Sequence, residues 1–180
     1  MQYQFYVPLV NAQSDGPALS NTTTATSLLP GQAKWTYPAG FFAAPGYHLK
    51  LYAAGKISTA ASAPGTLTLD FRIGSVIVFN GGASGTLAVS AANLTWELEM
   101  DMAVRSVGNG TSATILGTGK LVSAALSAST PIQLLPASSP AAGTGFDSTT
   151  AALCDLFGTW SVASASNTIT LNQFLLTSVW

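Results

Sequence analysis

Charge is what this sequence has least of. Asp, Glu, Lys and Arg together make up 7% of its 180 residues, against roughly 25% in an ordinary soluble domain. The six basic residues, Lys34, Lys50, Lys56, Arg72, Arg105 and Lys120, stand singly, and the net charge is −1. A nucleic-acid binder carries a basic stripe or patch, and an interfacial membrane helix carries a basic amphipathic period. Neither pattern is present, so neither nucleic acid nor membrane is expected as a partner. Near-neutral proteins gain little from long-range attraction, and any assembly is expected to proceed by surface fit.

Other absences narrow the field further. The single cysteine, Cys154, excludes an internal disulfide. No apolar run approaches the roughly 20 residues of a membrane span. The opening Met1-Gln2-Tyr3-Gln4-Phe5 lacks the basic and apolar regions of a signal peptide, so synthesis without export by that route is expected. No Gly-x-Ser-x-Gly elbow surrounds a serine. The Gly-x-Gly pairs at 108–110 and 143–145 open no helix and are followed by no Gly-Lys-Ser/Thr, so no nucleotide site or other cofactor is expected.

What is present is alternation. Between Asn93 and Val107, Leu94, Trp96, Leu98, Met100, Met102 and Val104 fall in one phase, and Thr95, Glu97, Glu99, Asp101 and Arg105 in the other. Successive side chains of a strand point to opposite faces, so this is a long half-buried strand. Residues 66–73 repeat the pattern, with Leu67, Leu69, Phe71 and Ile73 inward. Residues 46–54 do so again, with His48, Lys50 and Tyr52 outward. Shorter candidates follow at 76–79, 113–116, 120–126, 132–135, 150–157, 159–163 and 168–179. Turn chemistry separates them: Pro64-Gly65, Gly74-Ser75 as a two-residue hairpin loop, Asn80-Gly81-Gly82, and Gly108-Asn109-Gly110.

Eight to ten short, punctuated strands with one apolar face each predict an all-β fold: a two-sheet antiparallel β-sandwich, jelly-roll-like. Residues 1–30 are expected to form an extended N-terminal arm and residues 31–180 a single sandwich domain. In 168–179, Phe174, Leu175 and Leu176 make both faces apolar, so that strand is central or covered by a partner.

Few residues offer chemistry. His48 is the only histidine and falls on a polar strand face. Cys154 falls in phase with Ala152 and Leu156, which makes it a core thiol, with Asp155 beside it raising its pKa. Glu97, Glu99 and Asp101 form an acidic ladder with a spacing of roughly 6.8 Å. It could hold calcium, or pair with Arg72 on a neighbouring strand, with Arg105 at its far end. A regular ladder lacks the cleft and the unequal environments that paired carboxylates need for sugar cleavage, so no catalytic residue is assigned and no enzyme is expected. Trp96 and Trp160 fall in core phase.

The stretch Ser27-Leu28-Leu29-Pro30, Lys34-Trp35-Thr36-Tyr37-Pro38-Ala39-Gly40-Phe41-Phe42, Gly46-Tyr47-His48-Leu49-Lys50-Leu51, Ala54-Gly55-Lys56-Ile57-Ser58, Pro64-Gly65-Thr66-Leu67-Thr68-Leu69 and Arg72-Ile73-Gly74, with Trp96-Glu97-Leu98 and Val104-Arg105-Ser106-Val107-Gly108, resembles a group of tailed-bacteriophage virion proteins. The resemblance covers residues 27 to 175 and carries no catalytic signature. It implies a jelly-roll structural protein. The first expectation is a decoration or cement protein on the outer capsid surface, made in the host cytoplasm. It would bridge the major capsid protein, act as a homotrimer, and make contacts through Leu28, Leu29, Trp35, Phe174, Leu176 and Trp180. The alternatives are a fibre or tail-tip module binding a host-surface glycan near Trp35, Tyr37 or residues 127–149, and a jelly-roll capsid subunit.

Overall fold

The computed structural model describes residues 6–126 and 130–179. Twelve strands account for its regular structure: β1 (Tyr6–Asn11), β2 (Leu19–Ser20), β3 (Thr26–Ser27), β4 (Trp35–Tyr37), β5 (His48–Ser58), β6 (Leu67–Ile73), β7 (Val76–Ala83), β8 (Leu94–Ser106), β9 (Thr114–Ser123), β10 (Ile132–Leu135), β11 (Ala152–Trp160) and β12 (Thr168–Val179). A single 3-10 turn at Gly31–Ala33 precedes β4. All pairings are antiparallel. The larger sheet runs β1-β12-β5-β8-β9-β10, with β2 also on β12; the smaller runs β3-β11-β6-β7, with β4 also on β11. The two sheets pack face to face, so the chain is a β-sandwich.

Alternation explains which faces meet. Leu49, Leu51, Leu98, Met102, Ile115 and Leu176 of the larger sheet, and Leu67, Leu69, Phe71, Leu156 and Trp160 of the smaller, are all buried in one cluster. Burying a Leu- or Phe-sized side chain contributes about 1.5–3 kcal/mol, which makes this shared face the main source of stability. The indole N–H groups of the two core tryptophans are satisfied by backbone carbonyls, Trp96 at Thr170 and Trp160 at Leu19, both at 3.2 Å.

The jelly-roll-like wrap lies in four strands. β5 pairs with β12 in one sheet and β6 pairs with β11 in the other. A two-stranded ribbon therefore crosses between the sheets, and both of its strands leave their ladders at the same corner. Backbone groups at such a corner need new partners. Asn167, fully buried, supplies them: its Nδ2 donates to the carbonyls of Pro64 (2.9 Å) and Val162 (3.2 Å), and its Oδ1 accepts from the Ala60 N–H (2.9 Å). Ser161 adds a bond in each direction with Thr66.

Three sequence expectations meet a different arrangement. Residues 6–30 do not stand off as an arm. β1 and β2 pair with β12, β3 pairs with β11, and Leu28 and Leu29 are 0% and 2% exposed. Strands of two residues are too short to show alternation, which is why this segment looked irregular. Second, β9 and β11 are single strands where glycine suggested breaks. A Cβ on Gly117 would run into the Phe79 ring of the opposite sheet, and one on Gly158 would sit 3.0 Å from Leu19. These glycines give room to a neighbour instead of ending a strand. Third, β7 continues through Asn80-Gly81-Gly82, with shifts of register against β6. The Gly74-Ser75 loop is as expected, joining Ile73 to Val76 with Gly74 at φ 60°.

The strand with two apolar faces is central, lying between β1 and β5, and Phe174 and Leu176 are 4% and 0% exposed. The fold covers its inner face, while Leu175 on the outer face is 38% exposed. Leu28, Leu29, Phe174 and Leu176 are therefore core residues and not assembly contacts; Trp180 lies outside the described residues.

Two stability measurements test this account. Asn167→Ala removes three hydrogen bonds at the corner, the one to Pro64 buried and those to Ala60 and Val162 partly buried, and is expected to lower unfolding free energy by about 2 kcal/mol, read as a lower urea midpoint at unchanged slope. A shift below about 0.5 kcal/mol would show that the corner is held by something else. Gly117→Ala is expected to cost about 1–3 kcal/mol, and much less in a Phe79→Ala background. Additive costs would separate the glycine from the ring.

Candidate functional site

The outer face of the larger sheet carries a groove of about 750 Å³. That lies within the 300–1,000 Å³ typical of ligand sites. Register builds it. Leu175 of β12 stands opposite Tyr52 of β5, Tyr52 opposite Glu99 of β8, Glu99 opposite Lys120 of β9, and Lys120 opposite Leu134 of β10. The next row is Thr177, Lys50, Asp101 and Thr118. Cross-strand partners share a face, so both rows point to solvent. Pro136, Ser138 and Pro140, which follow β10, line the same groove. Charged side chains thus occupy the middle, with Tyr52 and Leu175 to one side and Leu134 to the other. Leu134 is 75% exposed, the most exposed large apolar side chain among the described residues.

The acidic ladder is the middle of this face, and cations from the flanking strands meet it. Asp101 accepts from His48 Nδ1 at 2.9 Å and lies 3.5 Å from Lys50 Nζ, while Glu99 lies 3.2 Å from Lys120 Nζ. Arg72 is in the other sheet and does not reach the ladder. No group of three or more His, Cys, Asp or Glu side chains among the described residues is arranged to hold a metal. Glu99 and Asp101 are cross-strand ion-pair residues, with pairs of this exposure worth about 0–1 kcal/mol each, while Glu97 is exposed and stands opposite Ala54 and Val122.

No family model matches the chain, and no curated protein matches it. No helix among the described residues is long and apolar enough to cross a membrane. The geometry of the chain has to carry its functional reading.

Two further clusters look chemical but are closed. On the outer face of the smaller sheet, Asp155 accepts from Ser27 Oγ at 2.7 Å and pairs with Lys34 at 2.9 Å. Arg72 clamps Asp70 through Nε and Nη2 and lies 4.0 Å over the Phe157 ring. The Asp70 hydrogen bond holds the guanidinium pKa above its ordinary value. Both carboxylates are 3% exposed and satisfied within the fold. Asp155 ties the segment around Ser27–Lys34 to β11, and the Asp70–Arg72 pair lies within β6. Breaking such a buried pair from one side costs about 3–5 kcal/mol, which is a structural role.

The second closed cluster is aromatic. Trp35 packs edge-on against Phe41 at 4.9 Å, and Phe42 lies 5.0 Å from Tyr37 and 5.8 Å from Phe146. Trp35 is half-buried. Tyr37 is fully buried, donating to the Asp147 carbonyl at 3.2 Å, so it cannot present its ring to a ligand. Leu134, Leu135, Pro136, Ser138 and Pro140, by contrast, do line the groove. Cys154 is buried as expected, and desolvation, then the Asp155 carboxylate, push its thiol pKa up. The thiol stays protonated and inert.

Burial raises the Tyr37 pKa from 10.0 to about 12, with the Asp147 charge adding to it. The folded state therefore holds this proton more tightly than the unfolded state. Its contribution is complete below pH 10.0 and is lost as pH rises to about 12. Wild-type stability is expected to fall across that window, and Tyr37→Phe to fall less steeply. Parallel curves from urea titrations would place the alkaline sensitivity elsewhere.

Proposed function

We propose that the chain is a structural protein of a bacteriophage virion, carried on the outer surface of the particle, and that it acts by binding and not by turnover. The observation that carries the binding role is the groove. There a strand face otherwise built for water places Tyr52, Leu134 and Leu175 beside exposed charges. The virion setting is supported by the resemblance over residues 27 to 175 and by outer faces that rely on Thr and Ser where other proteins use charge.

A concave, tyrosine-bearing groove favours a fibre-type or tail-tip module that presents this face outward. A second reading, the decoration or cement protein, is favoured by β10. This four-residue edge strand exposes Ile132 at 56% and Leu134 at 75%. Exposed apolar side chains on a sheet edge suit contact with the major capsid protein or with another copy. In that reading attachment runs through β10, since Leu28, Leu29, Phe174 and Leu176 are internal.

Gold-labelled antibody against the purified protein, applied to particles from a producing culture, separates these readings. Label on fibres or tail tips is expected. Label spread over heads would select the decoration reading, and intact particles without label would refute a virion role.

A further inference from the structure

We infer that the groove binds a short, neutral oligosaccharide. This deepens the binding role proposed above: it rests on the outer face of the larger sheet being the binding face, and not on which part of a virion displays it.

Charge selects the ligand class. Lys50 and Lys120 are balanced by Glu99 and Asp101, in alternating columns across β5, β8 and β9. A phosphate or polyanion would meet as much negative as positive charge, and a cation would meet the converse. An apolar peptide would strip water from four charged groups and return nothing, at a cost of several kcal/mol. A polyhydroxylated ligand avoids both penalties, because each hydroxyl donates and accepts. These side chains are also free to respond. Their exposures are 41% for Lys50, 45% for Asp101, 45% for Lys120 and 53% for Glu99. Each ammonium has three donors and each carboxylate several lone pairs, so the existing ion pairs leave capacity unused.

Shape selects sugar among hydroxyl-rich molecules. A pyranose has polar edges and a C–H face, and it needs apolar surface beside polar groups. Tyr52 and Leu175 provide that surface on one side of the charged columns and Leu134 on the other. From Tyr52 to Leu134 the groove crosses three inter-strand steps, roughly 14 Å, which exceeds one sugar ring and suits a short chain. The stacking surface is modest, so the affinity for a single chain is expected to be weak.

The test is a glycan array that includes neutral, sialylated and sulfated chains, followed by calorimetry on hits with four variants. Binding to neutral oligosaccharides is expected, with Tyr52→Ala and Leu134→Ser each weakening it about tenfold. Glu99→Gln is expected to weaken it comparably, and Val162→Ser, exposed outside the groove, to leave it unchanged. Urea midpoints establish that each variant is folded. Preference for charged glycans, or binding indifferent to both Tyr52→Ala and Leu134→Ser, overturns the inference. So does the absence of any glycan hit from folded protein; gold label on particles would then leave the virion reading standing.

Discussion

The fold depends on one corner. A β-sandwich has to carry its chain from one sheet to the other, and wherever a strand leaves its ladder the backbone loses hydrogen-bond partners. Here the two strands of a paired ribbon, β5:β12 continuing as β6:β11, make that passage side by side. One amide side chain serves both. Asn167, itself fully buried, bonds to Ala60 and Pro64 in one crossover and to Val162 in the other. Position follows from this. With β12 and β5 held side by side, their registers set which residues lie opposite β8, and hence where Tyr52 and Leu175 stand relative to Glu99.

Scarcity of charge makes the location of each charge informative. On the smaller sheet, Asp70 and Asp155 are nearly buried, and Arg72, Lys34 and Ser27 satisfy them. Such pairs gain little over apolar packing but are costly to break, so they fix the geometry of the segment they tie down. On the larger sheet the pairs remain about half exposed and contribute little to stability. The same residue types thus serve two ends. Where the loop around Lys34 covers them they are structural, and where only solvent covers them they remain available to a ligand.

Much of this architecture was legible in alternation, and its failures have physical causes. β8, β6 and β5 were legible because one face of each is buried and the other wet, which enforces period two over many residues. β9 and β11 were misjudged at Gly117, Gly119 and Gly158. Glycine in a sequence does not distinguish a turn from a place where another chain element approaches closely; Phe79 and Leu19 are the reasons here, and both are remote in sequence. β2 and β3 were invisible because two residues have no period. The groove has no local signature, since five strands contribute to it and only register aligns them. The signal that existed was a mismatch of phase: Tyr52 among His48 and Lys50, and Leu175 between Phe174 and Leu176. Apolar residues in a water-facing phase mark a surface with a use; in the sequence alone, Leu175 does not distinguish that from a covered strand.

Internalising the N-terminal segment changes where binding energy can come from. If residues 6–30 had extended onto a neighbour, Leu28 and Leu29 would have contributed as buried anchors. They are spent in the core, and so are Phe174 and Leu176. What remains outside on the larger sheet is modest, Tyr6, Val7, Tyr52, Leu134, Leu175 and Ile132, with near-zero net charge to assist approach. At about 25 cal/mol per Å², a few hundred Å² of apolar contact yield several kcal/mol, and association costs of about 4–15 kcal/mol consume much of it. A single copy is thus a weak binder by construction. Repetition changes that balance without any new contact, because each further site on the same particle binds at the effective concentration set by the first, with avidity gains of about 10²–10⁴. Under the proposed reading, a particle that displays many copies is the setting in which this groove becomes useful, which ties the chemistry of its lining to the virion surface proposed for it.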